Sequence, residues 1–239
     1  MRDKLGGTSL NEKSALRGSK RWLQLAVNRC PNIIDEAIAK AINLEHSETI
    51  NWLSPLETDA FTEYQDHAFL KRLGINPQHR QLEDFWPPQG PVWDGLAQTS
   101  GGRYLLIEAK ANIPEFDSSP TNATKGSLRK IRKALDETRA FLKVRSKTDW
   151  SMCFYQYANR LAHLYFLREL NKVDAAMVFI YFVGDTTVLG KDPVSREGWQ
   201  TAIGLATHHL GIRSQSPWIH NNVVDVFIDI SDLSHIAWP

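Results

Sequence analysis

Cysteine is scarce in this chain of 239 residues: there are two, Cys30 and Cys153. Two cysteines build no disulfide framework and match no zinc-ligand spacing, which points to a reducing, cytoplasmic setting. Long apolar runs are also missing. None approaches the roughly 18–20 residues of a membrane span, so no membrane partner is expected. The opening MRDKLGGTSLNEKS has no apolar stretch of the kind a secretory leader carries. Charge of one sign is lacking too, since 28 Lys and Arg stand against 27 Asp and Glu. That balance argues against a coat for nucleic acid but leaves room for a local basic patch. Repeats, low-complexity tracts and a clear interdomain linker are absent. What remains is an ordinary globular composition, 42% apolar and 23% charged, with length enough for a substantial core. The eight tryptophans are scattered and read as packing residues.

Apolar periodicity marks helices over SKRWLQLAVN and, after the Pro31 break, over IIDEAIAKAIN. Ser54, Pro55 and Glu57 spell a capping box with proline in the first turn, which predicts a helix from there to a stop at Gly74. The Pro/Trp-rich DFWPPQGP leads into a hairpin, VWDGLAQTSGGRYLLIEAKA. A polar loop over 112–124 follows, then the basic helix SLRKIRKALDETRAFLKVR and a second long helix, MCFYQYANRLAHLYFLRELN. AAMVFIYFVG reads as a fully buried strand, SREGWQTAIGLATHHLG as a helix with a serine cap and a glycine stop, and NNVVDVFIDI as the last strand. The mixture predicts a three-layer α/β domain with a central mixed sheet flanked by helices.

The hairpin holds three ionisable residues among apolar ones. Side chains on a strand alternate faces, so Tyr104, Leu106, Glu108 and Lys110 share one face and Leu105, Ile107 and Ala109 the other. Val92, Asp94 and Leu96 share a face on the preceding strand. A turn centred on Gly101 sets Asp94 opposite Glu108, with Cβ atoms about 4.5–5.5 Å apart. Two carboxylates that close repel unless a cation or proton lies between them. A divalent metal ion resolves the conflict, and Lys110 adds a second positive charge. The alternative is a structural ion-pair cluster, which normally has cations enough to match its acids. The (D/E)-x-K pattern occurs once in the chain, as Glu108-Ala109-Lys110, and its information lies in its setting on the hairpin. A register slip of one residue would take Asp94 off this face.

Asp94, followed on the next strand by Glu108 and Lys110, resembles the motif of the PD-(D/E)xK nuclease superfamily, with its restriction-endonuclease-like fold. Trp93 stands before the aspartate, and the nearest proline is Pro91, which departs from the family's pattern. The family's core order, helix–hairpin–strand–helix–strand, maps to roughly 54–183. Residues 1–50 then form a helical N-terminal extension and 184–239 an additional helix and strand, all within a single domain, 1–239. The resemblance implies that Asp94, Glu108 and the Ala109 carbonyl hold one or two Mg²⁺ (or Mn²⁺) ions, which acidify a bound water and stabilise phosphoryl transfer. Lys110 would position that water or neutralise developing charge. The superfamily often adds an acid from the helix before the hairpin. Projected at 100° per residue, Glu63 falls among Leu56, Ala60, His67 and Leu70, and is the candidate third metal or water ligand. Its alternative is a buried pair with His67 or an arginine. Glu57 is accounted for as a cap, and Asp66 lies at the edge of the stripe, where solvation alone could explain it. RecB-like members carry a Q-x-x-x-Y helix beside the site. Gln156 matches its glutamine, with Arg160 in place of the tyrosine, so Gln156 would orient the lysine or substrate and Arg160 would meet a phosphate. Alternatively the stripe of Gln156, Asn159, Arg160 and His163 faces solvent or another subunit.

From Lys125 to Lys147 nine basic residues stand against Asp136 and Glu137. Such a run is usually a solvated face. Following the hairpin, it is also a candidate phosphate track through Lys125, Arg129, Lys130 and Lys133 together with Arg160. Lys125 and Arg129 are best placed, near a helix N-terminus. His208-His209 has no metal spacing, Gly101-Gly102 is a turn, and Asp225 and Asp229 are expected to face solvent. The resulting expectation is a Mg²⁺-dependent nuclease acting on DNA, in restriction or phage defence or in DNA repair. A catalytically inactive nucleic-acid-binding or assembly module of the same fold is the alternative, against which the intact Asp94, Glu108 and Lys110 weigh. A metal-dependent enzyme on another phosphate ester is a third reading. Many enzymes of this fold dimerise to cut both strands, so a homodimer stays open.

Overall fold

The computed structural model describes residues 14–213 and 216–236. Helices α1 (Gly18–Arg29) and α2 (Pro31–Ala41) follow the predicted periodicity, with Pro31 in the first turn of α2, where its missing N–H is no loss. Trp22, Leu23, Ala26, Ile34 and Ile38 bury against one face of a sheet, meeting Ala97, Leu105, Ile107, Ala109 and Val178. These helices are therefore a layer of the structure rather than an extension beside a core.

The next segment departs from expectation. Ile50–Ser54 is a strand, β1, and Ser54 ends it instead of capping a helix. Glu57 enters a short 3₁₀ turn, Glu57–Asp59, and pairs with Arg29 at 2.8 Å. A capping box is a local preference of about 1 kcal/mol. Pairing β1 along β2 satisfies a row of backbone groups and buries Ile50, and Trp52 Nε1 adds a 2.8 Å bond to Asp35 Oδ1 of α2. Helix α3 begins only at Asp66 (Asp66–Leu73) and stops at Gly74 in the left-handed conformation, as predicted.

Helix α4 (Leu82–Phe85) is a single turn before the hairpin of β2 (Gly95–Thr99) and β3 (Tyr104–Lys110). Helix α5 (Ile113–Phe116) sits in the polar loop, and α6 (Lys125–Phe141) and α7 (Tyr155–Tyr165) follow, α7 running on into a π-helical stretch, Phe166–Leu170. Strand β4 (Ala175–Val183), helix α8 (Arg196–Leu210), helix α9 (Pro217–Asn222) and strand β5 (Val223–Asp229) complete the order. Ser195 caps α8 by accepting from Gly198 N, and Gly211 ends it.

The five strands form one sheet in the order β1-β2-β3-β4-β5. β1, β2 and β3 are antiparallel neighbours, while β3, β4 and β5 run parallel. β4 lies between two parallel partners and is covered on both faces, which is why it reads as an unbroken apolar run. On the face opposite α1 and α2, Leu96, Leu106, Met177 and Phe179 meet Phe69 of α3, Leu135 of α6, Leu161 of α7 and Trp199 of α8. The molecule is α/β, a mixed sheet between helices. Asp229 is exposed, as expected, whereas the Asp225 carboxyl, on a strand residue that is otherwise exposed, packs against Tyr181 and is pushed up to about 6 by burial. Among the described residues no helix is long and apolar enough to cross a membrane.

Candidate active site

β2 and β3 pair Gly95 with Ile107, Leu96 with Leu106, Ala97 with Leu105 and Gln98 with Tyr104. One step further sets Asp94 opposite Glu108, the register that a turn at Gly101 predicts. Asp94 lies just before the first residue of β2. There its Oδ2 accepts from Ala109 N at 2.8 Å, continuing the ladder with a side chain where a carbonyl would otherwise stand. Alternation along β3 turns Leu106, Glu108 and Lys110 toward α7, and Ile107 and Ala109 toward α1.

Helix α7 supplies the partners. Lys110 Nζ donates to Glu108 Oε1 at 2.7 Å and to Gln156 Oε1 at 2.8 Å. Arg160 Nε donates to Glu108 Oε2 at 2.6 Å, and its other nitrogens donate to Asn159 Oδ1 at 2.9 Å and the Val92 carbonyl at 2.8 Å. The same guanidinium lies over the Trp93 ring, 4.8 Å from its centroid. Gln156 thus holds the lysine. Arg160 is a buried clamp on Glu108, with every nitrogen of its guanidinium engaged inside the protein. The α7 stripe faces the site, not solvent or another subunit. His163, one turn on, is enclosed by Phe69, Phe85, Trp86 and Trp93. Burial pushes its imidazole down to about 3, so it stays neutral, with Nδ1 2.9 Å from the Asn159 carbonyl.

The two facing carboxylates differ in charge behaviour. Burial pushes Glu108 up, but Arg160 and Lys110 together overcome it and hold the carboxyl below its ordinary value. Asp94 goes the other way. Burial and the charge of Glu108 raise it to about 6, against the pull of Lys110, the Ala109 N–H and Arg160.

Glu63 does not sit on a helix. It lies on the extended piece before α3, where Tyr64 bridges to Trp93, so the helical projection fails. The residue still reaches the site. It is buried, at 4% exposure, with Lys20 Nζ 2.9 Å from its Oε2. His67 pairs with Glu83 at 3.2 Å instead. Asp66 is more than a solvated residue, since it accepts from the N–H groups of Gln89 and Gly90 at 2.9 and 2.8 Å.

Glu63, Asp94, Glu108, Lys110, Gln156 and Arg160 line a cleft of about 1300 Å³ beyond the carboxyl ends of β3 and β4, where open α/β sheets place their ligands. Asn159 of the α7 stripe lines it too, and so do Lys20 and Tyr155, which were not expected from the sequence. The first turn of α1 comes from a distant part of the chain, and no local pattern joins it to the hairpin. The basic run lies elsewhere. Lys125, Arg129 and Lys133 are exposed on α6 and do not line the cleft, and Lys130 Nζ donates to the Glu83 carbonyl at 2.6 Å.

The donors suit a hard divalent cation only in part. Among the described residues no three or more His, Cys, Asp or Glu side chains gather into a metal-holding group. Glu63 is already ion-paired with Lys20. Asp94 Oδ1 accepts no hydrogen bond from the described residues, and its raised pKa is relieved by a nearby positive charge. The N–H and C=O of one strand residue project to the same side, so the Ala109 carbonyl turns with its N–H toward the side that β2 has left. Glu108 Oε1 keeps a lone pair beside its bond from Lys110. Two carboxylates and a carbonyl are the hard oxygen donors Mg²⁺ takes, with water and substrate oxygens completing the shell. The lining as a whole carries the carboxylates Glu63, Asp94, Glu108, Glu115 and Asp117 against Arg17, Lys20, Lys110 and Arg160, so it retains room for a cation. No family model matches this chain, and no curated protein or solved structure matches it either.

Proposed function

We propose that the protein is a divalent-metal-dependent nuclease with the restriction-endonuclease-like fold, hydrolysing phosphodiester bonds of DNA in defence or repair. One observation carries this reading. Asp94 faces Glu108 across the end of a hairpin, Lys110 shares that face, and Gln156 reaches across from α7 to hold the lysine at 2.8 Å inside a cleft. Asp94, the Ala109 carbonyl and Glu108 are the residues that would hold Mg²⁺ or Mn²⁺, which when bound acidifies water and offsets phosphoryl charge. Lys110 does work of its own. An ammonium has three N–H donors, and Glu108 and Gln156 take two, which leaves the third for an attacking water or a phosphate oxygen. Arg160 keeps Glu108 ionised and oriented. The lining holds one more carboxylate than it has basic side chains, so a bound cation would favour the entry of a polyanion.

A specific observation favours a second reading. Both oxygens of Glu108 are already ion-paired, to Lys110 and Arg160. Such a balanced cluster could serve structure alone, in a module that binds nucleic acid without cutting it. Incubation of the protein with DNA and RNA, single- and double-stranded, under Mg²⁺, Mn²⁺ or EDTA separates the two. Cleavage is expected with metal, lost in EDTA and reduced about 100-fold or more in Lys110→Ala. Metal-dependent cleavage that survives in Lys110→Ala and Asp94→Asn would overturn the assignment. Salt-sensitive binding with no cleavage under either metal would establish the second reading.

A further inference from the structure

We infer that Lys20, reaching in from α1, supplies the positive charge at one end of a row of three carboxylates, so that the site takes one divalent ion and not two. The inference rests on the metal-dependent reading of Asp94 and Glu108, and it concerns a residue outside the hairpin. The row follows from two registers. Tyr64 bridges antiparallel to Trp93, whose N–H donates to the Tyr64 carbonyl at 2.9 Å. One step along that pairing sets Glu63 opposite Asp94, as one step beyond the Gly95–Ile107 pair sets Glu108 opposite it. Asp94 is the acid that the other two share, and all three line the same cleft.

The two outer acids already carry cations. Glu108 accepts from Lys110 Nζ at 2.7 Å and from Arg160 Nε at 2.6 Å, and Glu63 Oε2 accepts from Lys20 Nζ at 2.9 Å. Asp94 accepts the Ala109 N–H and has no ion pair among the described residues. Three basic side chains thus face three acids before any metal enters. One divalent ion held by Asp94 and Glu108 adds two positive charges, which phosphate oxygens offset. A second ion at the Glu63 end would stand beside the Lys20 ammonium, and like charges that close repel strongly away from bulk water.

Lys20 differs from an ordinary surface lysine in two ways. Its partner is buried, the Glu63 side chain being 5% exposed against 40% for Lys20 itself. Its own backbone is pinned on either side. Gly18 N–H donates to Thr187 Oγ1 at 2.9 Å, and Trp22 Nε1 donates to Asp185 Oδ1 at 2.9 Å. Trp22 is buried, so the first turn of α1 cannot swing Lys20 away without breaking contacts in the core. An ammonium on an anchored turn loses less freedom on pairing than one on a mobile loop, which favours the lysine over an incoming ion.

Mn²⁺ uptake by the metal-free protein, counted from the electron paramagnetic resonance signal of the unbound ion, supplies the test. The parent should take up one ion, with any second at least about tenfold weaker. Lys20→Met should take up two of similar affinity. Lys20→Arg, Glu63→Gln and the double variant Lys20→Met/Glu63→Gln should each take up one. Lys147→Met, at an exposed lysine that does not line the cleft, should match the parent. Without metal Lys20→Met should melt below the parent, and Mn²⁺ should raise its melting temperature by more than it raises the parent's. Two ions of similar affinity in the parent overturn the inference, as does a single ion in Lys20→Met or loss of the ion in Glu63→Gln. DNA cleavage is assayed on the same samples. If the ion counts hold and nothing is cut, the nuclease reading falls and the assignment of Lys20 stands. If DNA is cut and the parent holds two ions, the nuclease reading stands and the assignment of Lys20 falls. No ion in any of these proteins overturns both.

Discussion

Asp94 and Glu108 are both carboxylates at one site, yet their contributions to stability have opposite signs. Asp94 is raised from 3.8 to about 6 in the folded chain. Below the ordinary value both folded and unfolded forms are protonated and the shift costs nothing. Between there and about 6 the cost grows, and above 6 it reaches up to about 3 kcal/mol. Asp94→Asn keeps an oxygen for the Ala109 N–H and removes the charge. It should therefore stabilise the protein by about 1–3 kcal/mol at pH 8 and by little at pH 4.5, as read by urea unfolding at the two values. Glu108 is lowered, so it stabilises at neutral pH and loses that effect in acid. Glu108→Gln strands two buried cations and should destabilise by about 3–5 kcal/mol at pH 8. Equal signs for the two variants would refute this account of the charges. At this scale the sequence was informative where strand alternation decides direction, as for Asp94, Glu108 and Lys110. For Glu63 burial was foreseen from a helix that does not exist, and its partner Lys20 belongs to another layer.

The hairpin is the element that brings the acids together, and at Gly95 it is packed tightly from three sides. A Cβ there would lie 3.2 Å from Ile107 Cβ, 3.2 Å from the Ser54 carbonyl and 3.3 Å from the Trp52 ring. β1 and β3 close on β2 beside Asp94, so even a methyl group there would press its neighbours aside by a few tenths of an ångström. Gly95→Ala should cost about 1–3 kcal/mol and Gly95→Val more, while Gly126→Ala, whose Cβ meets nothing, should be neutral or stabilising. Thermal melts of the three variants check this ordering. Element identity was legible wherever the pattern was long, as in α1, α2, α6, β4, α8 and β5. It failed at Ser54-Pro55-Glu57. There a short capping motif competed with sheet pairing, and the pairing partner, Leu96–Thr99, is over forty residues away.

At the scale of the whole molecule, the cleft depends on how α1 is docked. Asp185, just after β4, accepts through Oδ1 from Trp22 Nε1 at 2.9 Å, from Thr187 N at 2.9 Å and from Thr187 Oγ1 at 2.7 Å. Thr187 in turn accepts from Gly18 N. One buried carboxylate thus ties the helix on one face of the sheet to the loop beyond β4. Asp185→Ala leaves the Trp22 N–H unpaired and should destabilise by about 2–3 kcal/mol. It should also speed hydrogen exchange in the first turn of α1 ahead of the sheet, measured by mass spectrometry. Unchanged exchange at Gly18–Trp22 would show that α1 is held by packing alone. The N-terminal helices read as an extension because sequence shows that a stripe is apolar, not which surface receives it.

The sequence by itself determined the α/β class, most elements, the hairpin register and the shared face of Asp94, Glu108 and Lys110. Periodicity and turn position act over a few residues, and those residues are adjacent in the chain. Only the tertiary structure decided that the lysine, of the two partners expected for Gln156, is the one it meets, that Arg160 clamps Glu108, and that the first turn of α1 lines the cleft. Each of those depends on surfaces that meet across more than forty residues of chain, where no local pattern records the partner.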